Sequence, residues 1–375
     1  MKITDIDTVM YDSPGRKWTV VRVFTDAGIT GLGEATYSNK ELVVCSAVDN
    51  MKQELIGQDP ARIEWIWHHI YRRSSVSGIW RMAGPVWMSA LAGIDIALWD
   101  IKGKVAGLPV YELLGGAFRR QVDLYTHFGG KTPEDAAKMA KAKQDAGFFA
   151  LKGGASWRDR NGLDWDTYLD DGYPDKTVAH FEAVREAVGP DVKLFIDCHG
   201  RFTVANSIRL AKRLEHLDLF AYEDPVAPDD LTAYPKIRSQ IGIPVMGSER
   251  LNTKSQFRRL LELEGIDIAQ PDLMYSGGIT EARKIAAIAE TFHVPISFHN
   301  TKGPVGILAA AHVMASIPNA APMEFVTGID WRDEIIDEPL DVQGGRIVLS
   351  DRPGLGVELT EAGLAEHRWM VGDPR

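Results

Sequence analysis

The sequence predicts an α/β fold in which a (β/α)8-type barrel follows an N-terminal α+β capping domain and is completed by a C-terminal tail that returns to the cap. The beginning of the chain alternates apolar and polar residues, as strands do, and then changes to helical spacing. After Gly116, short runs of β-branched or aromatic residues alternate with helical segments, which indicates parallel strands joined by helices. Eight such runs are present, the number that closes a barrel.

The capping domain is predicted over residues 1–120. Residues 18–33 contain two apolar runs around Asp-Ala-Gly, a sequence typical of a hairpin turn. Helical spacing begins near residue 39, with Pro85 marking a helix start and Gly107 a helix end. We therefore expect a small antiparallel sheet covered by helices.

The barrel is predicted over residues 121–330 and the tail over 331–375. The segments between its strands have helical spacing, and the loop 156–171 is long, polar and aromatic, as functional loops often are. The eight predicted strands are 122–128, 149–152, 193–197, 220–223, 244–247, 266–270, 295–299 and 322–325.

Composition excludes several classes of protein. The net charge of -10, with mixed charges along 375 residues, offers no basic stripe for nucleic acid or an anionic membrane. Asp95 and His312 interrupt the two longest apolar helical segments, so neither is expected to span a membrane. Only Cys45 and Cys198 occur, no disulfide is expected, and the charged first residues do not resemble a signal peptide, so we expect a cytoplasmic protein.

Three carboxylates end consecutive predicted strands. Asp197, Glu223 and Glu249 are spaced 26 residues apart, so each βα unit brings one acid to the same rim of the barrel. Three acids that converge with no Lys or Arg between them cannot all stay ionised, and a bound cation resolves that conflict. Oxygen ligands without thiolate favour a hard ion, and we expect Mg²⁺. The alternative is that these acids pair with a basic rim residue such as Arg250.

Two histidines are predicted beside these acids. Asp197 and His199 are two residues apart, so they point to the same side if the strand continues that far. Asp272 and His299 end adjacent strands, and a carboxylate beside an imidazole sets its tautomer and raises its basicity. His299 is thus the candidate general base, and Glu324 reaches the same rim; a purely structural role is the alternative for each.

The chain resembles the enolase superfamily in its mandelate-racemase-like branch, closest to the acid-sugar dehydratases of the galactonate, gluconate and arabinonate type. The resemblance covers nearly the whole chain. It is carried by residues 89–104 (SALAGIDIALWDIKGK), 197–201 (DCHGR), 223–225 (EDP), 248–250 (SER), 270–272 (QPD), 277–280 (GGIT) and 353–356 (PGLG). It implies that Asp197, Glu223 and Glu249 bind Mg²⁺, that His299 is the base supported by Asp272, that His199 is the acid and that Glu324 stabilises the enediolate.

The sequence departs from the family pattern at two places. Racemases of this branch carry Lys-x-Lys on the second strand, but here Lys152 is followed by Gly153 and Gly154. Elimination needs one base and one acid, whereas racemisation needs a base on each face, so Gly154 favours dehydration. The second departure is Asn300-Thr301-Lys302 after His299, where less polar residues are expected in a galactonate dehydratase. The predicted substrate-binding residues are Lys152, Trp80, Arg81 and Lys302, with Tyr37 of the cap also able to reach over the rim.

The resemblance implies a Mg²⁺-dependent dehydratase that removes the C2 proton of a sugar acid and eliminates the C3 hydroxyl, giving a 2-keto-3-deoxy acid. We expect a small-molecule sugar acid as the partner and a homo-oligomer. The alternatives are a racemase, epimerase or other lyase of the same superfamily, a barrel that only binds metal, and a Schiff-base aldolase built on Lys152.

Overall fold

The computed structural model describes residues 1–13, 16–73, 84–155 and 173–369. The cap begins with three antiparallel strands, whose alternating residues bury one face. Its helices follow, and within the described ranges no helix is long and apolar enough to cross a membrane. The elements are β1 (Ile3–Ser13), β2 (Arg16–Thr25), β3 (Thr30–Glu34), α1 (Glu41–Leu55), α2 (Ile63–His68), which continues as a π-helical turn to Arg73, α3 (Pro85–Ala106) and α4 (Val110–Leu113).

The barrel strands are parallel and follow one another in chain order from β4 to β9, while β10 pairs with β4. The strands are β4 (Gln121–His127), β5 (Ala150–Gly154), β6 (Lys193–Asp197), β7 (Ala221–Glu223), β8 (Val245–Gly247), β9 (Ile268–Ala269) and β10 (Met323–Glu324). The helices are α5 (Pro133–Asp145), α6 (Tyr173–Val188), α7 (Val204–Leu214), α8 (Ala233–Arg238), α9 (Lys254–Glu262), α10 (Ile279–Thr291) and α11 (Pro304–Ser316).

The predicted strand 295–299 is reduced to single bridges. Ile296 bridges Ala269 on one side and Ala320 on the other, and His299 bridges Asp272. These bridges carry the parallel order from β9 towards β10 and so back to β4. Inside the ring, a layer of side chains fills the barrel and leaves the carboxyl ends of the strands as the open rim. That layer consists of Tyr125, Ala150, Phe195, Ala221, Met246 and Ile268.

The tail contacts both parts of the molecule. It contains a hairpin of β11 (Val342–Gln343) and β12 (Arg346–Val348), in which β12 pairs with residues 121–123 of β4. It ends with α12 (Glu361–His367) and β13 (Arg368–Trp369), and β13 pairs with β1 of the cap. The sequence analysis expected the return to the cap but not the pairing with β4. The reason is that β10 covers β4 only at residues 124 and 125, and an uncovered strand edge is stabilised by a partner.

Buried acids of the cap hold the barrel helices. Glu34 accepts hydrogen bonds of 2.7 Å from the backbone N–H groups of Gly303 and Gly306, at the start of α11. Asp95 accepts one of 3.0 Å from the N–H of Thr280 at the start of α10. The first N–H groups of a helix lack intrahelical partners and attract negative charge, so both carboxylates stabilise helices whose preceding loops lie at the rim.

The packing of β3 on α3 requires glycine at position 33. A Cβ at Gly33 would lie 1.8 Å from the backbone oxygen of Gly93, which cannot move without shifting the helix. Gly33→Ala should therefore lower the free energy of unfolding by about 1–3 kcal/mol or more, measured by urea denaturation. Gly242→Ala is the control, because its nearest atom would be 3.5 Å away; equal losses in both variants would contradict the close-approach argument.

Candidate active site

The structure brings the predicted carboxylates and histidines to one rim of the barrel. Asp197 and Glu223 are register partners at the ends of β6 and β7, and Glu249 follows the end of β8 by two residues. Glu324 ends β10. Parallel strands in register carry their last side chains to one place, which is why acids of equal spacing in the sequence meet here.

A lysine lies among these acids. The Nζ atom of Lys152 is 2.8 Å from Oε1 of Glu223, 2.8 Å from Oε1 of Glu324 and 3.4 Å from Oδ2 of Asp197. The expectation that no basic residue lies between the acids is therefore wrong. Arg250, the basic residue it considered instead, donates to the backbone oxygen of His199 at 2.8 Å.

The acids still exceed their cations. Burial and the neighbouring Asp197 raise the pKa of Glu223 well above its usual range, even though Lys152 opposes them. Within the described residues, Oε2 of Glu223 has no hydrogen-bond partner although it is buried. An orphaned carboxylate oxygen in an all-oxygen donor set that includes Asp197 and Glu249 fits a hard divalent cation.

The carboxylate oxygens of the three predicted ligands lie farther apart than they would around a bound metal ion. In the described part of the chain, the one group of His, Cys, Asp and Glu ligand atoms lying within 4.8 Å of each other is Glu334, Glu366 and His367, in the tail. His367 is already bonded to Glu334 at 2.7 Å, so we assign no metal there. At the rim, Lys152 and His299 lie between the acids and hold their oxygens apart.

His299 is held by a buried carboxylate. Its Nδ1 lies 2.6 Å from Oδ2 of Asp272, and Oδ1 of Asp272 accepts from the backbone N–H groups of Met274 and Tyr275 at 2.8 and 3.1 Å. Asp272 has no exposed surface, so protein contacts such as these set its position. The pair therefore presents Nε2 of His299 towards the acids of the rim.

Nε2 of His299 lies 3.0 Å from Oε2 of Glu249 and 3.5 Å from Oε2 of Glu324. Burial disfavours the imidazolium, but these carboxylates and Asp272 outweigh it and raise the pKa of His299 well above its ordinary value. Burial likewise acts to raise the pKa of Glu249, but His299 reverses that effect and lowers it to about 2. His299 thus lies in a position to hold a proton beside a predicted metal ligand.

His199 reaches the site by a different geometry from the one expected. The strand ends at Asp197, and His199 has a φ of +52°, so strand alternation does not apply to it. Its Nε2 nevertheless lies 3.3 Å from Oδ2 of Asp197, and its backbone N–H donates to Oδ1 at 2.8 Å. The side chain is about half exposed, which leaves the ring accessible from the rim.

Lys302 lies behind the Asp272–His299 pair and not at the open rim. Its side chain is fully buried, with Nζ 2.8 Å from Oδ2 of Asp272 and 4.0 Å from the ring centre of Tyr275. This contact favours a role in holding Asp272, since a buried carboxylate is stabilised by a paired cation. Contact of Lys302 with substrate stays a prediction.

The cap reaches the site at least through Tyr37. Its ring meets that of Tyr275 edge to face, with centres 4.9 Å apart, and Tyr275 in turn lies 6.1 Å from the ring of His299. The predicted contacts Trp80 and Arg81, like the loop 156–171, lie outside the described residues.

Sequence reasoning missed two titratable groups here. His127 ends β4, and its Nε2 lies 2.7 Å from Oε1 of Glu324; the strand-end rule would have found it if applied to the first strand. Asp224 points away from Glu223 and is bonded to Tyr234 and Ser248 at 3.1 and 3.3 Å. Burial raises the pKa of Asp224 to about 7, and no pattern in the sequence indicates that.

A barrel whose rim carries an aspartate–histidine pair beside clustered carboxylates has the arrangement of an enzyme that moves protons. Comparison with known families agrees. Residues 6–115 match the mandelate racemase/muconate lactonizing enzyme N-terminal domain, and residues 134–363 match the enolase C-terminal domain-like family. The chain belongs to the enolase superfamily.

Individual relatives extend this result. The chain is 38% identical to the D-galactonate dehydratase of Verminephrobacter eiseniae over 98% of this chain and 94% of that protein. It is also 38% identical to the D-galactonate dehydratase of Ralstonia pickettii, over 100% of this chain and 96% of that one. The protein is a hydro-lyase, an acid-sugar dehydratase of this superfamily.

Solved structures share the whole fold. A mandelate racemase/muconate lactonizing enzyme-like protein from Rubrobacter xylanophilus superposes with a TM-score of 0.90 at 34% identity, covering 98% of both chains. The 3,6-anhydro-D-galactonate cycloisomerase from Zobellia galactanivorans gives a TM-score of 0.88 at 30% identity, over 99% of this chain and 100% of that one. The cap and barrel are thus common to relatives of different activity.

Proposed function

We propose that the protein is a Mg²⁺-dependent dehydratase of a polyhydroxy monocarboxylic acid of the galactonate, gluconate or arabinonate type. The reaction removes the C2 proton and the C3 hydroxyl and yields a 2-keto-3-deoxy acid. The observation that carries the proposal is the buried Asp272–His299 pair. The imidazole nitrogen that does not contact Asp272, Nε2, lies 3.0 Å from Glu249 and 3.5 Å from Glu324. The relatives named D-galactonate dehydratase support the substrate class.

Mg²⁺ held by Asp197, Glu223 and Glu249 would neutralise the substrate carboxylate and so lower the energy of the enediolate. Lys152 adds a positive charge at the same place, because its Nζ lies within 3.4 Å of Asp197 and 2.8 Å of Glu223. If Mg²⁺ neutralised Asp197 and Glu223, the ammonium of Lys152 would be released from them to bind a substrate carboxylate.

His299 is the base that takes the C2 proton at Nε2. Mg²⁺ on Glu249 would neutralise the carboxylate that most favours the protonated ring, so that Nε2 could accept a proton. Asp272 fixes the ring through Nδ1 and stabilises the imidazolium that forms, and Lys302 keeps Asp272 in place from behind. The burial of this trio excludes water from the nitrogen that faces Asp272. His299 therefore acts in one orientation and on one face of the substrate.

His199 is the acid that protonates the departing C3 hydroxyl. Its ring lies next to Asp197 at the end of β6, with β7, β8 and β9 between it and His299, and about half of its side chain is exposed. Exposure allows it to regain a proton from solvent after each turnover. Expulsion of water then gives an enol, which becomes the keto acid.

The racemase alternative is disfavoured by Gly154. This residue is the register partner of Asp197, so a lysine there would reach the rim, where racemases have their second base. Glycine supplies no base on that face. A racemase would exchange the C2 hydrogen and return the epimer, and a Schiff-base aldolase at Lys152 would be trapped by borohydride. Neither would eliminate water from the substrate, whereas a dehydratase does.

The test is a panel of sugar acids, including galactonate, gluconate and arabinonate, assayed with Mg²⁺ for 2-keto-3-deoxy acids. Formation of a keto acid, with a matching loss of substrate, is expected for at least one member. Epimerisation without loss of water, or C2 exchange without any product, would contradict the proposal. A barrel that only binds metal would show neither reaction.

Asp272→Asn should lower kcat by about 10² or more with little change in KM, because the amide neither orients His299 as a hydrogen-bond acceptor nor stabilises its imidazolium. Steady-state kinetics on the substrate identified by the panel measure this effect. Asp123→Asn is the control, since Asp123 is an exposed carboxylate paired with Arg346 at 2.8 Å, on the outside of the barrel. An unchanged kcat in Asp272→Asn would remove Asp272 from the mechanism.

A further inference from the structure

We propose that His127 delivers a proton to Glu324 when substrate binds, so that Glu324 can donate a hydrogen bond to the enediolate. This inference rests on the proposed function and adds a proton-transfer residue to it. His127 ends β4 and Glu324 ends β10, two paired parallel strands of the barrel.

The geometry places His127 between Glu324 and solvent. Nε2 of His127 lies 2.7 Å from Oε1 of Glu324, the distance of a short charge-assisted hydrogen bond. The side chain of Glu324 is 1% exposed, whereas that of His127 is 36% exposed. Glu324 is buried, and His127 is the neighbour through which a proton from water can reach it.

The chemistry requires that Glu324 carry a proton. An ionised carboxylate has only acceptor oxygens, and it would repel the negative charge that develops on the substrate. A protonated carboxyl has one O–H that it can donate, as neutral carboxylic acids do in other enolising enzymes. Glu324 can stabilise the enediolate only in that form.

The free site holds Glu324 ionised. Oε1 faces the ammonium of Lys152 at 2.8 Å and the ring of His127; Oε2 accepts from the N–H of Asn300 at 2.9 Å and lies 3.5 Å from Nε2 of His299. Burial acts to raise the pKa of Glu324, but Lys152, His299 and His127 outweigh it and lower it well below the usual range. The other titratable groups in its field are Tyr125, Glu223 and Glu249.

Substrate changes this balance. A substrate carboxylate that takes the ammonium of Lys152 removes one of the cations that keep Glu324 ionised. The proton nearest to Oε1 is then the one on Nε2 of His127. In the transfer, the Nε2–H bond of the imidazolium breaks and an O–H bond forms on Glu324, so that both groups become neutral. After product leaves and Lys152 again faces Oε1, the O–H bond of Glu324 breaks and the proton returns to Nε2 of His127.

The test uses His127→Gln, which keeps an N–H donor near Glu324 but cannot pass on a proton, and His127→Ala, which leaves space for imidazole. We expect kcat of His127→Gln to fall by about 10² with KM within about threefold, and imidazole added to His127→Ala to raise kcat several-fold. The matched control is His216→Gln, since His216 makes the same kind of bond to Glu182 at 3.0 Å on the surface.

A double-mutant cycle separates the relay from a simple substrate contact. In Glu324→Gln the amide donates permanently, so adding His127→Gln should change the residual rate of dehydration or C2 exchange by less than about twofold. The relay would be overturned if the rate loss of the double variant equalled the product of the two single losses. It would also be overturned if imidazole failed to rescue His127→Ala. Failure of the proposed function itself would appear separately, as a wild-type enzyme that dehydrates no sugar acid.

Discussion

His299→Asn is expected to abolish both dehydration and the exchange of the substrate's C2 hydrogen with D₂O. The loss in rate should be about 10⁴, the upper end of what a positioned base contributes, because the buried Asp272 orients His299 and Gly154 leaves the opposite face without a base. Proton NMR of the substrate follows the exchange, and product assays follow dehydration.

His199→Asn is expected to fail differently. It keeps the base and the acids, so C2 exchange should persist while dehydration falls by about 10² or more. His216→Asn, on the surface, is the control for loss of a histidine, and circular dichroism checks folding. C2 exchange retained by His299→Asn would disprove the base assignment, and normal dehydration by His199→Asn would disprove the acid assignment. If His199→Asn loses both reactions, metal analysis separates a displaced ion from a concerted elimination.

Removal of Mg²⁺ should abolish turnover. Glu223→Gln should also abolish turnover, because it weakens the binding of Mg²⁺. Glu223 is the most buried of the three predicted ligands, and its Oε2 is buried without a partner. In Glu223→Gln an uncharged amide, a weaker ligand, replaces the carboxylate. Calorimetric titration with Mg²⁺ gives a readout that does not depend on activity. We expect binding by the EDTA-treated wild type and a loss of affinity of at least about tenfold in Glu223→Gln.

Glu281→Gln is the matched control for that experiment. Glu281 is equally buried and is paired with Lys254 at 2.8 Å, on α10 outside the rim. Its substitution should leave Mg²⁺ affinity unchanged. Full activity of the EDTA-treated wild type, or equal Mg²⁺ affinity in Glu223→Gln and the wild type, would contradict the metal site.

Much of the fold was predictable because it depends on local patterns. The hairpin of the cap, the start of α3 at Pro85 and its end at Gly107 follow from turn and capping residues. Seven of the eight predicted barrel strands appear as strands, and the remaining one is reduced to bridges at Ile296 and His299. The pairing of the tail with β4 was not predictable, since it depends on which strand edge the finished barrel leaves uncovered.

The sequence by itself determined which carboxylates and histidines meet, because strand ends of a parallel barrel converge on one rim whatever their distance along the chain. It could not determine what lies between them. Lys152 among the acids and Lys302 behind Asp272 are side chains whose direction and burial depend on packing by distant segments. Electrostatic environment is a property of that packing, so only the tertiary structure decided which groups share charge and which reach the substrate.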